Sequence, residues 1–417
     1  MRLIHELYIK LIKNLTINKT KYIFLMFLLS PFLIFIVLIK PIFFVRFGNL
    51  NTQRIGCFSS AEQYLLDNMH KKSKEKSLDI WIIDNYVCNK QLLVVLKRKF
   101  LIIKELHVFY NVLKLISKYI NIYSKHIIFT SHARYYSHFS HIVPVDKYSC
   151  QLNLTRKEII KGESILKSFG IPAKAKIVCI ACRDNLYLKK RYPSKDFSYH
   201  NYRDINVDNY IPTIKALIKK NFYVVRMGQV SNKKINIKSN KFIDYPFHPL
   251  KNDFMDFFFA YKCYFWICNN VGLDEVARVF RKPLLDLNMA PLAGLKITSK
   301  KTLLCLKVHK NYNNKKLSLN EIFDSGVANA GHSEEYRRKK IKLNELNASQ
   351  IKDIVLEMIK LMKDSWKIKN KNDLKLQKKF KKLYLSRIKK IDPKCSYKKV
   401  NALYSLVFLK KNPWFLK

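Results

Sequence analysis

Glycine is scarce in this chain: 9 residues in 417. Acidic residues are also few, 30 Asp+Glu against 79 Lys+Arg, which leaves a formal net charge of +49. The glycines nowhere form G-x-G-x-x-G, so the dinucleotide-binding fingerprint is excluded. The nine cysteines are scattered and odd in number. Cys179 and Cys182 have metal-like spacing, but they lie in a strand-like run with no second pair. Reduced, buried thiols are therefore expected in place of a disulfide framework or zinc site, in a cytosolic setting for the folded part. Zinc-finger spacing, an aromatic RNA-binding signature and a helix-turn-helix are all missing, so charge alone does not select nucleic acid as a partner. Two sources of the charge stay open: a basic surface for an anionic partner, and the Lys-, Asn- and Ile-rich composition of an AT-rich genome.

What is present begins with an apolar run, Tyr22 to Ile39. As a helix it would reach about 27 Å, just short of a bilayer's hydrocarbon core. Pro31 is expected to break it. Lysines flank both ends and no small-residue cleavage site follows, so a cleaved signal peptide is not expected. A membrane-associated segment over residues 1–40 is expected. Span and partly inserted hairpin both stay open, because basic residues on both sides leave orientation undecided.

From residue 41 the pattern alternates between strand and helix, which predicts a mainly parallel sheet. The alternation restarts at Lys176. The expected architecture is α/β, with two Rossmann-like doubly wound domains, 41–172 and 173–335. A basic helical tail over 336–417 follows, suited to packing on the domains, to attraction toward an anionic membrane surface, or to both.

The stretch KIVCIACRDNLYL (176–188) carries the most information. Its apolar run suits a strand buried on both faces, and Arg183-Asp184 stand at the carboxyl end, where open α/β sheets hold ligands. Gly48, Gly228 and Gly272 also close apolar runs, where glycine allows a sharp turn or close approach of a ligand to backbone. Arg46, Gly48, Arg54 and Gly56 mark a strand–loop–helix segment able to hold an anionic group. Arg226 precedes Gly228. A helix from about Leu273 would point its N–H groups at the same crevice. Together these predict a diphosphate site. The loop YHNYRDIN (199–206) adds His200, Arg203 and Asp204, with His200 and Asp204 as acid–base candidates.

Four stretches, VRFGNLNTQRIG (45–56), VCIACRDNLYL (178–188), residues 200–228 and residues 253–288, resemble glycosyltransferases of bacterial surface-carbohydrate loci, related in architecture to fucosyltransferase-type enzymes. The resemblance implies a GT-B-like pair of domains, the first on the acceptor side and the second on the donor side. It also implies a nucleotide-sugar donor as co-substrate, a glycan or lipid-linked acceptor, no cofactor and no essential metal. By similarity Arg183 would hold the donor diphosphate, and Arg226, Asn270 and Gly272 would line the donor pocket; Arg203, Gly228 and Asn269, close to them in sequence, are further donor-binding candidates. The resemblance does not settle the base; Asp184, His200 and Asp204 are the candidates for taking the acceptor proton. The catalytic part is expected at the cytoplasmic face of the inner membrane. The chain departs from the family pattern at Ala181 and Cys57, where histidines are expected. A catalytically degenerate, membrane-bound glycan-assembly or binding factor on the same fold is therefore the alternative.

Overall fold

The computed structural model describes residues 19–71, 77–128, 145–269, 271–391 and 400–417; in the first stretch side chains are placed from 24 to 69. Its contacts divide the chain into two units: residues 1–54 with 68–130, and residues 55–67 with 131–417. The expected boundary at 172/173 lies inside the second of these.

The first unit carries a parallel four-stranded sheet in the order β3-β2-β1-β4. Its strands are β1 (Phe44–Leu50), β2 (Ser77–Ile83), β3 (Leu101–Ile102) and β4 (Ile127–Ile128). Asn89 caps the Lys90–Lys97 helix by accepting the Leu92 N–H, the role expected of Asn before an apolar turn. The Lys19–Leu38 helix runs through Pro31 unbroken. Proline removes the N–H that would satisfy the Phe27 carbonyl. The Ser30 hydroxyl donates to that same carbonyl at 2.7 Å, which supplies the missing donor and keeps the helix intact. Leu33 and Ile36 are buried against Phe109, Val112 and Leu113 of the His107–Ile116 helix. No helix among the described residues is long and apolar enough to cross a membrane. Of the two forms left open for this segment, the span has no support here: one face of the helix, with Leu33 and Ile36, packs inside the unit.

The second unit contains a parallel seven-stranded sheet in the order β13-β10-β9-β8-β5-β6-β7. Its strands are β5 (Ile177–Ala181), β6 (Tyr223–Met227), β7 (Phe242–Asp244), β8 (Phe265–Cys268), β9 (Leu284–Met289), β10 (Thr302–Leu306) and, at the edge, β13 (Leu403–Tyr404). A separate antiparallel pair joins β11 (Val308–Asn311) to β12 (Ile341–Asn344). β5, first in sequence, lies between β6 and β8, so the order of winding reverses there. That reversal is where open α/β sheets leave a crevice at the carboxyl ends of their strands. All five residues of β5 are buried, as an uninterrupted apolar run predicts.

The carboxyl-terminal region differs from the expected helical tail. β10 extends the sheet beyond β9, and β13, within the expected helical tail, pairs with β10. Tyr404, Phe408, Phe415 and Leu416 sit in the same core as Val224 and Phe265. Gln377 clasps the Tyr404 backbone, its amide donating to Tyr404 O at 2.6 Å and its carbonyl accepting Tyr404 N–H at 3.1 Å. The tail's apolar residues complete the fold of the second unit, while its lysines give it the basic character read from sequence.

Candidate active site

The carboxyl edge of the seven-stranded sheet is covered by the segment 198–210. Its base is a network of uncharged groups. Asn269, just past β8, donates to the Ala181 carbonyl at the end of β5 at 2.9 Å and accepts the Tyr210 hydroxyl. Asn288 donates to the Tyr210 oxygen at 3.2 Å and accepts the Leu346 N–H at 2.8 Å. Asn269, Asn288 and Tyr210 are buried. An amide left unpaired there would cost about 1–3 kcal/mol, so both side chains are committed to these contacts, Asn269 between two strands and Asn288 between β9 and the segments at Tyr210 and Leu346. Asn269 was expected to line the donor pocket; its amide instead ties the two central strands together. Asn270 lies outside the described residues.

Above this floor three charged groups converge. Arg183 Nε lies 3.2 Å from the Asp204 carboxylate, and Lys307 Nζ donates to the Asp204 backbone carbonyl at 2.7 Å. Lys307, directly after β10, is 5% exposed. Burial lowers its pKa, and Arg183 adds to the lowering, while Glu345 and Asp204 oppose it. Burial raises the Asp204 carboxyl above the usual range, against the pull of Arg183 and Lys307 and with some help from Asp184. Glu345 accepts the Asn206 N–H with both oxygens, at 3.1 and 3.0 Å, and so fixes the loop that carries Asp204. Lys307 and Glu345 escaped the sequence reading. The available signal was a lysine closing the apolar run TLLCL.

The other expected site residues fall in different places. Asp184 accepts the Leu186 N–H at 3.0 Å, the Ser231 hydroxyl at 2.7 Å and the Asn232 N–H at 2.9 Å, so it fastens the loop after β6. Gly228 begins that loop at φ +153°, a conformation L side chains rarely adopt, with Pro246 Cγ 3.3 Å from where a Cβ would stand. His200 is buried, its ring 4.0 Å from that of Tyr199, which stacks in turn on His332 at 4.8 Å. The Arg203 guanidinium lies 5.7 Å over the Tyr202 ring and contributes to the field at Asp204.

Arg226 had been expected to meet the diphosphate. It is 1% exposed, with Nε 2.6 Å from Asp244 and Nη2 donating to Lys233 O at 2.8 Å. A guanidinium buried inside the sheet keeps its charge by pairing, and Arg226 does so at the β6–β7 pair.

Arg46, Gly48, Arg54 and Gly56 do not form the expected anion loop. Arg46 faces Asp79 across β1 and β2, with paired contacts of 2.7 and 2.8 Å. Gly48 lies within β1, and a Cβ there would stand 2.5 Å from the Trp81 ring. Arg54 is exposed. In the second unit, Gly56 and Gly272 pack backbone to backbone: a Cβ on Gly272 would be 3.0 Å from Gly56 N, and one on Gly56 would be 3.1 Å from Gly272 Cα. The helix that follows, Asp274–Val279, offers no free first-turn donors. The N–H groups of Asp274, Glu275 and Val276 each donate three residues back, and the Asp274 carboxylate accepts the Val271 N–H at 2.9 Å.

A second charged cluster lies in the interior of this unit. Lys296 Nζ stands 3.6 to 3.8 Å from carboxylate oxygens of Asp286, Glu275 and Asp274. Burial alone would lower the lysine's pKa, but the surrounding acids raise it well above its ordinary value. Burial lifts Asp274 to about 7, although Lys296 and the Trp266 N–H, which donates at 2.7 Å, pull the other way.

Fold and site thus define an α/β protein with parallel sheets and, in its second unit, a cationic and acid–base cluster at the carboxyl edge. No family model matches this chain, and no curated protein matches it. Among solved structures, ADP-heptose lipopolysaccharide heptosyltransferase II of E. coli is similar, at 11% identity and a TM-score of 0.37, covering 62% of this chain and 89% of that one. An overlap that loose defines neither fold nor chemistry, which rest on the sheets and side chains described above.

Proposed function

We propose that the chain is a glycosyltransferase that moves a sugar from a nucleotide-sugar donor to a hydroxyl of a surface-glycan acceptor, soluble or lipid-linked. The observation that carries this reading is the convergence of Arg183, Lys307 and Asp204 at the carboxyl edge of the parallel sheet. Arg183 and Lys307 supply positive charge for a leaving diphosphate, whose negative charge grows as the glycosidic bond breaks. Asp204, with its pKa raised by burial, is the base for the acceptor proton, because a carboxylate of higher pKa is the stronger base. The GT-B-like arrangement and the cytoplasmic, membrane-associated setting belong to the same proposal. Its support is the resemblance in the four sequence stretches.

A second reading, a degenerate transferase fold that binds without turning over, draws on the commitment of Asp184, Arg226 and Asn269 to structural contacts and on Ala181 in place of a histidine. The two separate in one experiment. Nucleoside diphosphates and nucleotide sugars are titrated against wild type, Arg183→Ala and Lys307→Met, and transfer is assayed alongside for Asp204→Asn. Binding that weakens about tenfold or more in both cation variants, with transfer lost in Asp204→Asn, is the expected result. Unchanged binding in both cation variants refutes the site; binding without turnover in wild type selects the second reading.

A further inference from the structure

From residue 24 onward the Lys19–Leu38 helix is apolar on every side, and the protein covers only one side. Leu25, Met26, Leu29, Leu33, Ile36 and Val37 pack on the first unit's core. Phe24, Phe27, Phe32, Phe35 and Leu38 recur along the opposite face and are each more than half exposed, Phe27 to 80%; Ile42, just beyond the helix, reaches 91%. A helix apolar all round belongs in a protein core or in lipid, and contiguous apolar surface of this extent marks an interaction site.

Charge selects the occupant. The stripe itself holds no charge, but lysines bracket it in sequence at Lys19, Lys21 and Lys40. The Lys40 ammonium sits 4.9 Å over the Phe44 ring, and Lys114, on the helix that packs beneath, lies 5.8 Å from the Tyr110 ring. At +49 the chain repels a second copy of itself and is attracted to anionic phosphates. The helix has also already spent its inner face on the protein, so inserting it across a bilayer would strip Leu33 and Ile36 from the core.

We propose that the exposed face of the Lys19–Leu38 helix is a lipid-docking surface. It lies flat in the interface of an anionic leaflet, with Phe24, Phe27, Phe32 and Phe35 entering the acyl boundary and Lys40 meeting the headgroup phosphates. The inference is independent of the chemistry at Arg183.

The test uses the full chain in flotation with phosphatidylcholine vesicles, with and without phosphatidylglycerol. Wild type is expected to float with the anionic vesicles, less at high salt. Phe27→Ser/Phe35→Ser is expected to lose about tenfold or more in partitioning. An unchanged melting temperature would show that these exposed positions carry no core contacts. Equal flotation of the double variant would overturn the proposal, because binding would then be charge alone. Resistance to alkaline wash would overturn it in favour of a span. A dimer in buffer that the double substitution dissolves, with no flotation of wild type, would assign the face to a second copy. Flotation only after removal of residues 1–18 would assign it to the chain's own amino-terminal residues.

Discussion

Gly272→Ala separates two explanations for a glycine at a sheet's ligand-bearing edge. On the ligand explanation, the methyl group blocks a substrate and leaves stability unchanged. On the packing explanation, it pushes the Asp274–Val279 helix away from the Ile55–Cys57 turn. The added Cβ would stand 3.0 Å from Gly56 N and 3.4 Å from both Gly56 Cα and the Ile55 Cγ2 methyl. Two of those three neighbours are backbone, which cannot rotate aside as a side-chain tip can. Relieving the contact needs a shift of a few tenths of an ångström between two packed elements, and overpacking on that scale costs roughly 1–3 kcal/mol. Gly331 is the control, since nothing lies within 4 Å of a Cβ there. Gly331→Ala should be neutral or stabilising by up to about 1 kcal/mol. Because one shift relieves both contacts, Gly56→Ala/Gly272→Ala should cost less than the sum of the single substitutions. Urea unfolding monitored by Trp fluorescence measures all four variants. Gly272→Ala within about 0.5 kcal/mol of wild type, together with lost nucleotide binding, would refute the packing explanation and restore the ligand one.

Two further stability predictions follow from buried charge. Asp244→Asn removes the partner of a guanidinium that is 1% exposed, so it should cost about 3–5 kcal/mol; a loss below about 1 kcal/mol in urea unfolding would show that Arg226 finds another partner. Asp274 has a folded pKa of about 7 against an ordinary 3.8, so the folded state holds a proton that the unfolded state has released. Its penalty is absent below the unfolded value, grows as pH rises, and is complete above about 7. Between about pH 5.5 and pH 8.5, wild type should lose ~2 kcal/mol more than Asp274→Asn, about 1.5 units at ~1.4 kcal/mol each. Parallel stability profiles for the two proteins would refute the assignment.

Much of the scaffold was readable from local pattern. The apolar run before Arg183 and the strand–helix alternation depend on near neighbours in the chain, and they appear as β5 and the parallel sheets. Short strands were harder to see. β10 is five residues bounded by lysines, and β13 is two residues in a basic tail. Their strand character comes from edges already formed by β9 and β10, which no local window contains.

The sequence by itself determined which segments could be buried, where the parallel strands would turn, and that Arg183 would stand at a carboxyl end. Those follow from burial periodicity and chain order. Only the tertiary structure decided how the polar residues were used. Arg226 went to Asp244, Asn269 to Ala181, Asp184 to the loop after β6, and Gly272 to Gly56. Lys307, marked in sequence only as a lysine closing an apolar run, was brought to Asp204 across 103 positions of chain. The physical reason is that a polar side chain inside a fold takes whichever partner lowers its desolvation cost, and that partner is set by through-space proximity. Arg183 follows the carboxyl end of β5, and the residues beside it come from just after β10 and from a loop.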